Sequence, residues 1–123
     1  MIKIKRIQYD FSVCQLEDYS LVNYGSLYYF IEKTGTEKSL VCLTSDVPSN
    51  TIKREDGWKA MYIQGTLDFS LIGILSKIAD ILAKNLISIF VVSTYDTDYL
   101  LVKEENFERA LDLLKNEGYE IID

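Results

Sequence analysis

The sequence predicts an α+β protein of the ferredoxin-like class, because its second half has a distinctive order of elements. Residues 58–123 read as strand, helix, strand, strand, helix and strand, which is the β-α-β-β-α-β order of the split βαβ unit. Residues 4–57 repeat this order in a shortened form, with connections in place of the helices. We therefore predict two units of one type, residues 1–57 and 58–123, each with an antiparallel sheet and its helices on one face.

The first half contains strands joined by short or irregular connections. Apolar and polar side chains alternate over residues 6–13, which predicts a strand with one half-buried face. Residues 16–25 have only a weak pattern and suit a short helix or an irregular connection. Aromatic and β-branched residues at 27–31 and 40–43 predict two more strands, and the loop at 34–38 has the length and the glycine of a hairpin.

Loops and one further strand are predicted in the middle of the chain. The lone proline, Pro48, marks a loop or a short helical turn. The charged residues 53–56 read most simply as a solvated loop. Asp56 and Gly57 then form the turn that opens a strand over residues 58–64.

An amphipathic helix is predicted from Ser70 onward, with polar side chains opposite an apolar stripe. The residues of that stripe recur at helical spacing and are Leu71, Ile74, Leu75, Ile78 and Leu82. Residues 86–92 are nearly all apolar, which predicts a strand that is buried on both faces or covered by helices.

The last third of the chain completes the predicted order. Residues 95–97 form a turn into a strand at 98–102, and a second amphipathic helix follows. Its first turn carries the acidic residues 104–105, and Gly118 lies just beyond its end, where a glycine is expected. Residues 119–122 close the unit as a final strand.

Composition narrows the class of function. The formal net charge of −6 opposes binding to a phosphate backbone, so we expect no nucleic-acid partner. The chain has no histidine, which excludes His-dependent triads and most zinc sites. No apolar run approaches the roughly 18–20 residues that span a bilayer, and the basic start lacks the apolar region of a signal peptide. We therefore predict a cytoplasmic protein with no membrane attachment, no metal and no other cofactor.

Two cysteines, Cys14 and Cys42, lie far apart in the sequence and outside any CxxC motif. Because free cysteines are usually buried, we predict that both are core thiols on strands. A disulfide or a redox role is the alternative reading.

The first candidate binding segment lies where the predicted strand at 58–64 meets the first helix. The turn of Asp68, Phe69, Ser70 and Leu71 offers the unpaired backbone N–H groups of a helix N-terminus, which suit a carboxylate. Gly73, predicted in the first turn of the helix, lacks a Cβ and allows close approach of a ligand or of a neighbouring backbone. The alternative is structural, since Asp68 or Ser70 also fits an ordinary helix N-cap.

The second candidate segment follows the buried strand and carries hydroxyls and carboxylates. Asp96 and Asp98 are candidate acceptors for an ammonium group, and Ser93 and Thr94 add two hydroxyls. The alternative is a hairpin turn that uses aspartate and threonine only for local hydrogen bonds. If the fold brings the two segments together, they form a receptor for a zwitterion such as an amino acid.

The motifs also carry a resemblance to a known family. They are GTLDFSLIGIL at 65–75, LISIF at 86–90 and STYDTDY at 93–99, with Trp58 before them and Val102 after them. This pattern resembles the ACT-domain proteins related to the cytosolic arginine sensors of the TORC1 pathway. The resemblance implies two stacked ACT-like units, amino-acid binding at a domain or subunit interface, and a homodimer formed through ACT faces.

The leading functional hypothesis is therefore a regulatory module that senses a small amino acid and signals to an effector protein that the sequence does not identify. The rival is a ligand-free oligomerisation or protein-interaction module with the same fold. Nothing in the chain resembles a nucleophile with its base, so we do not expect an enzyme. Paired carboxylates alone are a weak basis for an acidic-pocket hydrolase of this fold.

Overall fold

The computed structural model describes residues 2–64 and 73–123. In these residues the elements are β1 (Lys3–Leu16), β2 (Tyr29–Lys33), β3 (Lys38–Leu43), β4 (Thr51–Gln64), α1 (Ile74–Lys84), β5 (Phe90–Ser93), β6 (Asp98–Lys103), α2 (Glu104–Asn116) and β7 (Glu120–Ile122). The chain divides into two compact units. The larger unit is Met1–Gln8 with Lys59–Asp123, and the smaller unit is Tyr9–Trp58. The predicted domains, residues 1–57 and 58–123, stay a prediction. The compact units have different bounds, because residues 1–8 belong to the same unit as the second half of the chain.

The larger unit has a ferredoxin-type arrangement of strands and two helices. Its elements follow the predicted order, β4, α1, β5, β6, α2 and β7. In its sheet the strands lie in the order β7-β1-β4-β6-β5. β5 and β6 are antiparallel, whereas β7 pairs in parallel with the start of β1, from Lys3 opposite Glu120 to Lys5 opposite Ile122. The first residues of β1 thus fill a place in this sheet between β7 and β4.

Both described helices bury an apolar stripe against the core of the larger unit. Of the stripe predicted for the first helix, Ile74, Ile78 and Leu82 are buried, Leu75 is partly buried, and Leu71 lies outside the described residues. The buried helix residues are Ile74, Ile78, Leu82, Phe107, Ala110, Leu111 and Leu114. They pack with strand residues Ile4, Met61, Ile63, Leu100 and Val102 in one apolar cluster.

The smaller unit contains the strand order β2-β3-β1-β4, with antiparallel β2–β3 and β1–β3 pairs. The short helix or irregular connection predicted for residues 16–25 is an irregular connection: β1 ends at Leu16, and residues 17–28 form turns and bends before β2. In residues 9–58 the helical segment is one 3-10 turn, Thr44–Asp46. One face of its sheet carries an apolar cluster whose buried members are Cys14, Leu16, Val22, Leu40 and Cys42.

The two units contain hairpin turns of the same construction. In the turn between β2 and β3, the Thr34 N–H donates to the Glu37 carbonyl oxygen at 3.0 Å, and the Glu37 N–H donates to Thr34 Oγ1 at 3.2 Å. Between β5 and β6, the Thr94 N–H donates to the Thr97 carbonyl oxygen at 2.8 Å, and the Thr97 N–H donates to Thr94 Oγ1 at 3.3 Å. Each threonine hydroxyl thus replaces a backbone acceptor in closing its turn.

Two predictions in the middle of the chain are wrong. Residues 53–56 are part of β4 rather than a loop, although their side chains are exposed as predicted. Asp56 and Gly57 also lie inside β4, where Gly57 has a φ of 84°. Glycine in this conformation carries no steric penalty, so the strand continues through a position that reads as a turn in the sequence.

The predicted strand over residues 86–92 is also displaced, because β5 begins only at Phe90. Leu86 is 90% exposed and has a φ of 61°. Its N–H donates to the Ala83 carbonyl at 3.0 Å, and the Ile87 N–H donates to the Leu82 carbonyl at 2.9 Å. These are the two bonds of a Schellman motif that ends α1, with Leu86 in the left-handed position.

The end of α2 has the same motif with a glycine, as predicted. Gly118 has a φ of 99°, and its N–H donates to the Lys115 carbonyl at 3.1 Å. The Tyr119 N–H donates to the Leu114 carbonyl at 3.1 Å. The two helices therefore end in the same way, but a leucine is at the strained position of α1 and a glycine at that of α2.

We expect opposite effects from exchanging these residue types. Leu86→Gly should raise the free energy of unfolding by about 0.5–1 kcal/mol, because relief of left-handed strain exceeds the entropic cost of glycine. Gly118→Ala should lower it by about 1 kcal/mol. Urea unfolding followed by circular dichroism measures both changes. Gly35→Ala, at a glycine without positive φ, is the control and should change little. A destabilising Leu86→Gly substitution would contradict the role assigned to this residue.

Candidate functional site

The first candidate segment is only partly described. Asp68, Phe69, Ser70 and Leu71, predicted as the anion-binding turn, lie outside the described residues. Gly73 is exposed and precedes α1, with a φ of 83° and a ψ of 10°, so it is not in the first turn of the helix as predicted. A Cβ at this position would meet no atom within 4 Å. The backbone conformation, rather than lack of space, therefore accounts for glycine here.

The second candidate segment is a compact hairpin turn between β5 and β6. Ser93 Oγ donates to Asp98 Oδ1 at 2.5 Å, across the last pair of the ladder. Thr94 Oγ1 donates to the Thr97 carbonyl oxygen at 3.1 Å and also accepts the Thr97 N–H. The hydroxyls of Ser93 and Thr94 and the carboxylate of Asp98 are thus engaged within the turn itself.

Asp96 differs from the other polar residues of this turn because its side chain is exposed at the tip. Tyr95 beside it is fully exposed, whereas Thr97 is buried. The predicted pair of carboxylates is therefore divided, with Asp98 bonded on β6 and Asp96 directed to the surface.

Thr97, which the sequence analysis did not single out, connects the turn to the start of the first segment. Its Oγ1 donates to the Ile63 carbonyl oxygen at 2.6 Å, in a buried position. Ile63 is on β4, two residues before the segment 65–72 that leads to α1. Because β4 and β6 are neighbours in the sheet, the strand end before the first motif lies beside the turn of the second.

Other features of the described residues do not coincide with the predicted site. A cleft of about 380 Å³ is lined by residues near the end of α1 and by the chain after α2, among them Lys77, Lys84, Glu117 and Tyr119. Burial raises the pKa of Tyr119, and the nearby Glu117 acts in the same direction.

In the described ranges, three or more side chains of the types that hold metals do not gather at any point. None of the helices in those ranges is long and apolar enough to cross a membrane.

The fold and the sequence together define the class of this protein. The strands and helices have the ferredoxin-type arrangement, with the turn after β5 next to the end of β4. The family model described as the ACT domain matches residues 53–116, slightly more than half of the chain. The chain therefore belongs to the ACT-domain family.

Solved structures extend the similarity over the whole chain. Protein Atu0741 from Agobacterium tumefaciens is 32% identical, with 98% of this chain and 92% of that chain covered and a TM-score of 0.86. VC0802 from Vibrio cholerae, a protein of unknown function, is 20% identical over 94% of this chain and 88% of that chain, with a TM-score of 0.73.

The regulatory subunit of aspartate kinase from Thermus thermophilus shares the fold at low identity. It is 8% identical over 92% of this chain and 95% of that chain, with a TM-score of 0.61. Comparison with curated proteins finds no match.

Proposed function

We propose that the protein is a regulatory module that binds an amino acid at its ACT domain. The family gives the first support, since the ACT model matches residues 53–116 and a regulatory subunit has the same fold. The observation that carries the proposal is the bond of Thr97 to Ile63, because it ties the polar turn to the strand end that precedes residues 65–72. A zwitterion needs a donor and an acceptor close together, and this arrangement favours that proximity.

The proposed roles follow from the chemistry of each segment. The carboxylate of Asp96 is exposed at the tip of its turn, and we assign it to the α-ammonium group of the ligand. The N–H groups of residues 68–71, which the sequence predicts as a turn, are assigned to the α-carboxylate. Ser93 and Asp98 then act by fixing the shape of the turn through their mutual hydrogen bond.

A regulatory role also needs a change that a partner can detect. We propose that the two compact units are both ACT-like, which the matching turns at Thr34–Glu37 and Thr94–Thr97 support. A homodimer would place ligands at interfaces, where a ligand favours one arrangement of the walls that bind it. The effector protein and the cytoplasmic location stay predictions.

Amino acids should stabilise the protein in a thermal-shift screen. A ligand at about 100 times its Kd adds roughly 2.7 kcal/mol to the free energy of unfolding, which is a rise of several degrees in Tm for a domain of this size. Arginine and lysine are the first probes because of the resemblance to the arginine sensors, followed by the other common amino acids. If none of them raises Tm, the proposed function is wrong.

Substitution of Asp96 tests the assigned acceptor. Asp96→Asn should remove the ligand-induced rise in Tm, because the neutral amide no longer pairs with the ammonium group. Asp112→Asn, at an exposed position of α2, makes the same change of charge and should leave the rise intact. Equal responses of the two variants would place the ligand away from Asp96.

A ligand-free interaction module is the second candidate, and one observation favours it. Leu21, Tyr24 and Leu27 are large apolar residues that are more than half exposed in the connection between β1 and β2. Exposed apolar side chains in one short segment are typical of protein contact surfaces. Sedimentation velocity of the wild type and of Leu27→Ser tests this candidate, which predicts an assembly that the substitution weakens and that amino acids do not affect.

A further inference from the structure

The two cysteines of the smaller unit are diagonal neighbours on adjacent antiparallel strands. Ser12 on β1 pairs directly with Cys42 on β3, and Cys14 pairs with Leu40. Because side chains alternate along a strand, Ser12, Cys14 and Cys42 lie on the same face of the sheet. Both thiols are free and buried, with exposed fractions of 3% for Cys14 and 2% for Cys42.

The two thiols are hydrogen-bonded to each other and differ in their pKa. The Cys42 thiol donates a hydrogen bond to the Cys14 sulfur, which lowers the pKa of Cys14 from its ordinary value. Burial and the negative charge of Asp56 oppose this lowering, and the positive charge of Arg54 supports it. The same hydrogen bond and burial raise the pKa of Cys42. Cys14 is therefore the better nucleophile of the pair, and Cys42 holds its proton.

A hydrogen-bond network fixes the position of Arg54 on this face. Its Nε and one terminal nitrogen donate to the two Asp56 carboxylate oxygens at 3.1 and 3.2 Å. Ser12 Oγ donates to Asp56 Oδ1 at 2.6 Å and also contacts Thr44 Oγ1 at 2.9 Å. Ser12 is paired with Cys42 in the ladder, so the network lies beside the thiol pair.

We propose that Cys14 and Cys42 form a reversible disulfide when the protein meets a hydroperoxide. The Cys14 thiolate attacks one oxygen of hydrogen peroxide, the O–O bond breaks, and the departing hydroxide takes up the proton that the Cys14 thiol released on ionising, so that Cys14 carries a sulfenic acid and one water forms. The Cys42 sulfur then attacks the Cys14 sulfur, the S–O bond breaks, and the departing hydroxide takes the Cys42 proton. Two thiols and one peroxide thus give one disulfide and two waters.

The diagonal geometry explains why this bond is reversible. In an antiparallel ladder diagonal residues are about 7–8 Å apart, whereas disulfide-linked Cα atoms are usually about 4.4–6.8 Å apart. The strands must therefore shift when the bond forms, and the strained product is easily reduced. Peroxide reaches the pair when residues 17–28 open locally, because this connection contributes Val22 and Tyr19 to the apolar cluster that holds both thiols.

Thiol counting on the folded protein tests the proposal. After treatment of the native protein with hydrogen peroxide, quenching and unfolding, dithionitrobenzoate should detect loss of both free thiols. Intact mass should fall by two hydrogens, non-reducing gels should show no crosslinked dimer, and dithiothreitol should restore both thiols. Retention of both thiols, or disulfides only between molecules, would overturn the proposal and show that the cysteines serve only as core residues.

Single variants assign the two roles. In Cys42→Ser the sulfenic acid on Cys14 has no resolving thiol, so dimedone should trap it. Cys14→Ser should give much less trapped product, because Cys42 is the weaker nucleophile. Equal trapping in both variants would overturn the assignment of Cys14 as the attacked residue. Circular dichroism confirms that each variant is folded, and the result on the wild-type protein does not depend on either variant. Amino-acid binding is tested separately, so failure of either proposal does not affect the other.

Discussion

Replacing Leu114 with alanine is expected to lower the free energy of unfolding by about 3–4 kcal/mol. Leu114 lies on α2, is fully buried and belongs to the apolar cluster of the larger unit. Loss of its side chain removes apolar contact and leaves a cavity between α2 and the strands, which can close only in part. Urea unfolding followed by far-ultraviolet circular dichroism measures the change, since both described α-helices belong to this unit.

Leu27→Ala is the matched control for Leu114→Ala. Leu27 is the same residue type but is 75% exposed, so its removal should change the free energy of unfolding by less than about 0.5 kcal/mol. A small effect at Leu114, comparable to that at Leu27, would mean that α2 does not pack on the strands as described.

Most of the larger unit was predictable because its elements follow simple patterns. The stripes of α1 and α2 have the 3.6-residue period, and most of the described side chains on them are buried. The closing Gly118 is at the position that left-handed geometry demands. The position of β1 in the sheet could not be predicted. The pairing of Lys3 with Glu120 joins residues that are far apart in the sequence, and no local pattern indicates it.

Predictions from the local sequence were wrong where a residue adopts a backbone conformation that its type does not favour. Gly57 reads as a turn but continues a strand, and Leu86 reads as part of a buried strand but ends a helix in the left-handed conformation. In each case tertiary structure decides the outcome, because the alternative conformations differ by only about 1 kcal/mol for the isolated residue. Single-residue propensity is too weak to decide such positions.

The residue types of the candidate site could be predicted from the sequence, but the hydrogen-bond partners of those residues could not. Ser93 and Thr94 were predicted to offer hydroxyls to a ligand and Asp98 to accept its ammonium group, yet each makes a hydrogen bond inside the turn. Thr97, which was not singled out, connects the turn to Ile63. A buried threonine beside three exposed polar residues has no distinguishing signal in a single sequence. Its burial depends on the neighbouring strand β4, which is distant along the chain.

A second large loss of stability is expected in the smaller unit. Phe11→Ala should lower the free energy of unfolding by about 3–5 kcal/mol, because Phe11 is fully buried and its loss leaves a large cavity. Its ring also meets the edge of Tyr28, with 5.9 Å between centroids and 64° between planes. Trp58, the single tryptophan, is buried in the same unit, so its fluorescence follows this unfolding.

Two further variants separate the causes of the stability loss expected for Phe11→Ala. Tyr9 also contacts Tyr28, at 6.3 Å between ring centroids, but it is 44% exposed. Tyr9→Ala should therefore cost only about 1 kcal/mol, since an aromatic contact contributes roughly 0.5–1.5 kcal/mol beyond burial. Phe11→Leu retains most of the buried volume and should cost less than about 1.5 kcal/mol. If Phe11→Leu is as damaging as Phe11→Ala, the edge contact with Tyr28 determines stability here, and the cavity argument is wrong. If Tyr9→Ala lowers the free energy of unfolding as much as Phe11→Ala does, the full burial of Phe11 is contradicted.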